Sequence, residues 1–224
     1  MTVIPWPRKA PTAAAPDAEE VAAAAAALIQ TRQTILPKRL GDPGPDATQR
    51  ARILGAAAHA PDHGQLLPWR FVIVPDTHRA ALADVFGQAL RERDPHATDE
   101  QVEQARDKAF RSPFLLLVIV DAERGDPEID LGERLVSAGC AVQNMLLMAT
   151  ALGFGSSLTS GKALKAGGLR ALFGLSGSEQ AVCFVSVGTV LSRKAVRARP
   201  AVERYVSILG GAPVAAPGQP GHVG

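Results

Sequence analysis

The sequence predicts an α/β (α+β) domain built around a single sheet, and three observations carry this prediction. Continuous apolar runs of strand length occupy residues 69–74, 112–120 and 180–191. Helical patterns separate these runs, and no internal repeat divides the chain. With 46% hydrophobic and 21% charged residues among 224, the chain can bury a core of ordinary size.

The amino-terminal part of the sequence predicts two helices. We expect residues 1–16, which contain several prolines, to form a mobile arm before a helix over residues 17–31 that Asp17 caps. Acidic residues directly before the alanine run argue against a secretory signal. A second helix is expected over residues 46–59, and Pro61 ends it because proline disfavours helical geometry in the residue before it.

The remainder of the chain alternates strands and helices. A strand, a helix, a polar helix and a second strand are expected over residues 69–74, 78–93, 97–110 and 112–120. The next helix is apolar on most faces, which indicates that it is buried. The later elements are the long helix (134–155), a glycine-rich loop (151–161), a short helix (169–175), a strand (180–191), a basic segment (193–199), a last strand (203–209) and a disordered tail (210–224).

The composition excludes several classes of protein. A formal net charge of +2 is too small to indicate a nucleic acid or a membrane surface as the partner. The sequence contains no apolar run of the roughly 18 residues that a membrane span needs. The two cysteines, Cys140 and Cys183, lie in apolar segments and form neither a disulfide framework nor a zinc spacing, so we expect a cytoplasmic protein.

The first candidate site is the segment that contains His59, Asp62 and His63. Histidines at positions i and i+4 share one face of a helix and bind zinc in some hydrolases. Pro61 interrupts that face here, and no later cluster of histidine and acidic residues supplies a third ligand. The alternatives are a helix end with two solvated histidines, or a loop that surrounds a flat, anionic ligand.

Three further segments are candidates for binding an anion or a cofactor. Arg32 and Gln33 end the first helix, where an arginine can bind a phosphate or can simply be solvated. The loop over residues 151–161 contains glycines and hydroxyls, which suit either a close ligand or a helix cap and turn. The basic residues from Arg193 to Arg199 follow a strand end and could hold an anion or lie in a solvated loop.

The order of these segments resembles that of the FMN-dependent nitroreductase family, and within it the small NAD(P)H nitroreductase subgroup. An arginine ends the first helix, "APDHGQLLPWRF" follows the second helix, and "SAGCAVQN" and "ALGFG" frame the long helix. A "TSG" loop and "VGT" followed by basic residues complete the pattern. The resemblance covers roughly residues 25–207 and implies a domain over residues 17–209 with a central, mostly antiparallel sheet flanked by helices, in an intertwined homodimer.

The resemblance implies one group of residues near the phosphate and ribityl side of FMN. Thr31, Arg32 and Gln33 match the family's Arg-Arg-Ser stretch, so two of the three residue types differ from the pattern. A late basic residue of the family matches Arg193 or Lys194. We therefore expect these residues to bind the phosphate end of the cofactor.

A second group of residues is implied near the flavin ring. His59 and His63 match positions in a loop that the partner subunit offers to the flavin. Leu158, Thr159 and Ser160 match a Trp-Arg-Ser type of stretch that lies along the isoalloxazine, with leucine in place of the tryptophan. No acid–base side chain is expected to be catalytic, because the flavin itself carries out the redox chemistry.

The sequence therefore predicts a homodimeric flavoprotein that transfers electrons from NAD(P)H through FMN to small electron-poor acceptors such as nitroaromatics or quinones. One alternative is a non-catalytic flavin-binding or dimeric scaffold protein. A second alternative is a metal-dependent hydrolase that uses His59, Asp62 and His63.

Overall fold

The structure, a computed structural model, describes residues 17–195 and 198–210. The expected mobile arm over residues 1–16 lies outside the described residues, and so does the expected disordered tail beyond Gly210. The chain divides into two compact units, Met1–Arg193 and Lys194–Gly224. The first unit contains the sheet and the helices described below.

The described strands form one antiparallel sheet, which confirms the prediction of a mostly antiparallel sheet. Strands β1 to β5 span Leu40–Gly41, Trp69–Ile73, Phe114–Asp121, Gly155–Thr159 and Glu179–Val190. Their order is β1-β5-β3-β2, and β4 also pairs with β5. A parallel bridge between Thr34 and Ser156 joins the segment after the first helix to β4.

The helices lie close to where the sequence predicts them. Helices α1 to α6 span Ala18–Thr31, Ala47–Ala56, Arg79–Arg93, Asp99–Arg106, Leu131–Ala151 and Gly167–Leu172. Side chains cap the first turns of α1, α2, α4 and α5, where Asp17, Asp46, Thr98 and Asp130 accept hydrogen bonds from backbone N–H groups. The expected cap at Asp17 is thus confirmed. Within the described residues, no helix is both long and apolar enough to cross a membrane.

Strand β3 is buried on both faces, as its continuous apolar run predicts. Leu116, Val118 and Val120 belong to a core cluster that α2 and α5 cover. The alternate residues Leu115 and Leu117 belong to a second cluster, which α3 and α6 cover. The sheet therefore has a helical layer on each side, and the candidate sites lie around its β4 and β5 strands.

The predicted loop over residues 151–161 contains a strand, so this part of the prediction is wrong. Residues 155–159 form β4 because β5 offers a second edge beside the one that β3 occupies. Gly155 permits the close packing at this edge: a Cβ atom there would lie 2.7 Å from Val190 and 2.8 Å from Leu40. A local pattern of glycines and hydroxyls could not reveal this partner strand.

The predicted last strand over residues 203–209 is also wrong. The described chain instead has a short 3-10 turn at Val202–Arg204, and the residues after it, such as Ile208, are exposed. A strand needs a neighbouring edge with which to form hydrogen bonds, and the described part of this second unit contains no other strand. The apolar character of the segment alone was therefore a misleading signal.

Candidate functional site

A cleft of about 650 Å³ lies between the sheet and helices α3 and α4. This volume falls in the range that is typical of small-molecule sites. Its apolar lining comes from the sheet and from α3, with Leu115, Phe184, Phe86 and Leu90 among the lining residues. Phe86 meets Phe184 edge to face, with ring centroids 5.7 Å apart, so part of the apolar wall is well packed.

The charged lining of this cleft is entirely basic. Its described lining residues include five basic side chains and no carboxylate: Lys38, Arg93, Lys108, Arg111 and Lys162. Charges of one sign around a partly enclosed cavity raise the local concentration of a ligand of the opposite sign. We call this feature the basic cleft, and its chemistry suits an anionic ligand with a flat apolar part.

The end of β4 forms the polar side of the basic cleft. Thr159 lies opposite Phe184 in the sheet, and Thr159, Ser160 and Gly161 all line the cleft. The buried Ser186 of β5 lines it as well. The chain leaves the sheet after Thr159, so this segment places polar groups beside an apolar floor. Two of the residues that the sequence predicts near the flavin ring therefore lie in the cleft.

The residues predicted near the phosphate lie elsewhere. Thr31, Gln33 and Arg193 line a separate cavity of about 340 Å³ at the end of α5. The structure thus brings Arg193 beside Thr31 and Gln33, although it is distant from them in the sequence. It does not place them in the basic cleft with Thr159 and Ser160.

The remaining predicted residues occupy neither cavity. Arg32 is half-buried at the C-terminal cap of α1, and its backbone N–H donates to the carbonyl oxygen of Leu28 at 3.2 Å. Leu158 on β4 is 45% exposed. Lys194 is an exposed residue of the second unit.

The loop after α2 has the shape that its sequence predicts. A short 3-10 turn ends at His59 and Pro61 follows, so the two histidines are not on one continuous helix. Asp62 braces the loop, because its Oδ2 atom accepts a hydrogen bond from the backbone N–H of Leu67 at 2.7 Å. Gly64 has a φ of +61°, a left-handed conformation that favours glycine, and an added Cβ atom there would meet no other described atom within 4 Å.

His63 forms an ion pair with the first turn of α5. Its Nδ1 atom lies 2.8 Å from Oε2 of Glu133, and both side chains are exposed. The hydrogen bond with Glu133 and then the charge of Glu133 raise the pKa of His63. One turn further along α5, the buried Ser137 hydroxyl accepts a hydrogen bond from the indole N–H of Trp69 at 3.0 Å. The loop is therefore tied to the same helix at two places, His63 within it and Trp69 at its end.

The described structure gives no support to the hydrolase alternative. Among residues 17–195 and 198–210, no group of three or more His, Cys, Asp or Glu side chains is arranged to hold a metal ion. In particular, His63 already has a carboxylate partner in Glu133.

Sequence reasoning missed all five charged residues of the basic cleft. Lys38 lies in a short turn after α1, Lys108 and Arg111 lie near the end of α4, and Lys162 follows β4. These residues belong to no single motif, since only the folded sheet brings their segments together. The one available signal was the high density of basic residues between positions 106 and 111.

Comparison with solved structures identifies the class of this fold. A nitroreductase-like family protein from Bacillus cereus superimposes with a TM-score of 0.71 at 19% identity, over 83% of this chain and 96% of that one. An iodotyrosine deiodinase solved with FMN and 3-iodo-L-tyrosine gives a TM-score of 0.61 at 21% identity, over 82% of this chain and 99% of that one. The fold is therefore that of the nitroreductase-like proteins.

Sequence comparison then gives the family. The profile of the nitroreductase family matches residues 29–189. A provisionally named NAD(P)H nitroreductase of Haemophilus influenzae is 31% identical over 166 residues, which cover 74% of this chain and 88% of that protein. The similarly named YdjA of Escherichia coli K12 is 32% identical over 151 residues, 67% of this chain and 81% of YdjA. The chain belongs to the nitroreductase family, and it is a flavin oxidoreductase that depends on NAD(P)H.

Proposed function

We propose that this enzyme holds FMN in the basic cleft, accepts hydride from NAD(P)H and passes electrons to small electron-poor acceptors such as nitroaromatics or quinones. The observation that carries this proposal is the charge of the cleft, where five basic residues and no carboxylate surround an apolar floor. The position of Thr159 and Ser160 in the same cleft supports it. The free thiols of Cys140 and Cys183 are compatible with work in a reducing cytoplasm.

The residues of the cleft fit a flavin mononucleotide. Leu115 and Phe184 offer an apolar surface for a flat ring, and Thr159 and Ser160 offer polar groups beside it. Basic side chains such as Lys108 would compensate the phosphate charge. Bound FMN supplies the redox chemistry: it takes up a hydride and releases electrons to an acceptor. The protein's own residues bind and orient the cofactor and shield one side of it from water.

We propose that the enzyme works as a homodimer. None of the described residues of α1 is buried, although this helix contains Val21 and Ile29. Helix α5 exposes Leu135 and Val136 near its start. Apolar side chains exposed on two helices of one molecule are typical of a protein interface. The loop with His59 and His63 is joined to the start of α5 by the pair between His63 and Glu133, so such a dimer would bring this loop to the interface.

The proposed cofactor is tested by spectroscopy and by titration. We expect the purified protein to show a flavin absorption spectrum after reconstitution with FMN, and to oxidise NAD(P)H with menadione as the acceptor. A colourless protein that binds no flavin would refute the proposal. A flavin-bound protein without NAD(P)H oxidation would instead support the scaffold alternative.

The variant Lys108→Gln tests the place of the cofactor. A charge-assisted contact with a phosphate contributes about 1.5–3 kcal/mol, so we expect FMN affinity to fall by roughly tenfold to a hundredfold. The matched control is Lys165→Gln, because Lys165 is an exposed residue of the turn beside the cleft but does not line it. Equal FMN affinity in both variants, measured by fluorescence quenching, would place the flavin elsewhere.

A further inference from the structure

A second charged cavity, of about 500 Å³, lies beside β1 and the start of β3. Three arginines line it, Arg50 from α2, Arg79 from α3 and Arg111 from the segment before β3. Two aspartates, Asp42 and Asp76, line it as well. The arginines exceed the acids by one charge, and we call this feature the arginine cavity.

Arg79 is a buried cation that its surroundings compensate incompletely. The residue is 3% exposed, and its Nη1 group donates to the carbonyl oxygen of Ala109 at 2.8 Å. Within the described chain, its Nε atom has no hydrogen-bond partner. The Oδ1 atom of Asp76 lies 3.9 Å from Nε, but the Asp76 side chain is 96% exposed to solvent. Burial accordingly lowers the pKa of Arg79.

A buried charge without a full set of partners costs free energy, and a bound ion of opposite charge can offset that cost. A buried polar atom without a partner in a folded protein is also a common sign of an ion or water that completes the site. The unpartnered Nε atom of Arg79 therefore indicates a ligand independently of the shape of the cavity.

Arg50 is already oriented at the edge of the arginine cavity. Its Nε donates to the carbonyl oxygen of Pro45 at 2.7 Å, and its guanidinium carbon lies 5.2 Å from the centre of the Phe114 ring. Because Phe114 is buried in the core, this cation–π contact holds the guanidinium against a rigid support. An arginine that is fixed in this way loses little further conformational entropy when an anion binds.

We propose that the arginine cavity binds a compact oxyanion, a phosphate or carboxylate group, beside the basic cleft. Arg111 lines both cavities, so an anion held here lies next to the proposed flavin site. A phosphate group could come from free phosphate or, given that the proposed function is correct, from the NAD(P)H that the enzyme uses. The shared chemistry is a group that accepts several hydrogen bonds from guanidinium donors.

Thermal unfolding of the FMN-loaded protein tests this proposal. The Tm in inorganic phosphate is compared with the Tm in chloride at the same ionic strength. At a phosphate concentration ten times the dissociation constant, we expect the Tm to rise by roughly 3–6 °C. The variant Arg50→Gln should lose this rise. Arg52→Gln, an exposed arginine of the same helix that does not line the cavity, should retain it. No rise in the parent, or an equal rise in both variants, would overturn the proposal.

Steady-state kinetics distinguishes the two sources of phosphate. If inorganic phosphate raises the KM for NAD(P)H and Arg50→Gln removes this competition, the cavity takes a phosphate of the nucleotide. If KM does not change while the Arg50-dependent rise in Tm persists, the cavity takes a free anion. The thermal measurement can also be made without flavin, so a protein that binds no FMN would refute the proposed function and leave the oxyanion site standing.

Discussion

The buried side chain of Arg134 holds together the segment that leads into α5. It is 1% exposed, and its guanidinium donates to the backbone carbonyl oxygens of Ile129, Asp121, Arg124 and Asp126. The Asp121 carbonyl ends β3, and the other three belong to the loop between β3 and α5. The guanidinium therefore fixes the position at which α5 begins. It thereby also fixes Glu133, whose carboxylate pairs with His63.

Replacement of Arg134 by methionine should destabilise the protein strongly. The variant Arg134→Met removes the donor of one buried and three part-buried hydrogen bonds to carbonyl oxygens. The loss of the partner of a buried group costs about 1–3 kcal/mol. We expect the free energy of unfolding in urea to fall by at least about 3 kcal/mol. The control Arg124→Met changes an exposed arginine of the same loop and should cost little. Similar midpoints for the two variants would contradict this account.

The ion pair between His63 and Glu133 predicts a pH dependence. Because Glu133 raises the pKa of His63 in the folded state, the stabilisation is fully present below the pKa of the unfolded histidine. It is lost as the pH rises through the higher pKa of the folded protein. In Glu133→Gln we expect the pKa of His63 to fall, as measured by NMR titration of its ring protons.

The control for this titration is Glu128→Gln, which removes a nearby exposed carboxylate that does not contact His63. The charges of Asp126 and Asp62 also raise the pKa of His63, so part of the shift should persist in Glu133→Gln. A pKa that falls equally in both variants would assign the shift to the general field of the loop and not to the pair.

At the scale of elements, strand β4 connects the core with the basic cleft. Its first residue, Gly155, packs against Val190, Leu40 and Ile35 at distances that leave no room for a side chain. Its last residues line the cleft. Packing at one end of this strand therefore sets the position of the polar groups at the other end.

The variant Gly155→Ala should destabilise the protein by about 1–3 kcal/mol, because the new methyl group would overpack the buried Leu40 and Ile35 and the half-buried Val190. The control Gly167→Ala places a methyl group in open space at the start of α6. Thermal unfolding should show a lower Tm for the first variant and an unchanged or higher Tm for the second. A Tm for Gly155→Ala equal to that of the parent would show that the strand edge can relax.

The elements and the site differ in how far the sequence predicts them. The strands β2, β3 and β5 and the long helix are visible in local patterns, because full or partial burial leaves an apolar or periodic signal. Strand β4 is not visible, because its pairing depends on a free edge of β5 that is distant in the chain. The basic cleft is likewise assembled from Lys38, Lys108 and Lys162, which no local motif connects.

At the scale of the whole molecule, the exposed apolar surface of α1 and α5 leads to a prediction about assembly. Val136 is 67% exposed on α5. If this face is buried in a homodimer, Val136→Asp would place a carboxylate in an apolar interface, where an unpaired charge is costly. We expect light scattering to find a dimer for the parent protein and a monomer for the variant.

The control for assembly is Leu172→Asp on α6, which packs on the other side of the sheet. This variant should remain dimeric. A parent protein that is monomeric at micromolar concentration would refute the proposed homodimer. Dissociation of both variants would show that the added charge acts through stability and not through the interface.

Arg111 lines both the basic cleft and the arginine cavity, and this has a thermodynamic consequence. Two ligands that draw on one guanidinium are linked, so each changes the affinity for the other by the same factor. If phosphate weakens FMN binding fivefold, FMN must weaken phosphate binding fivefold. In a protein with two anion sites and one shared cation, the fraction of molecules that hold FMN would therefore change with the surrounding phosphate concentration.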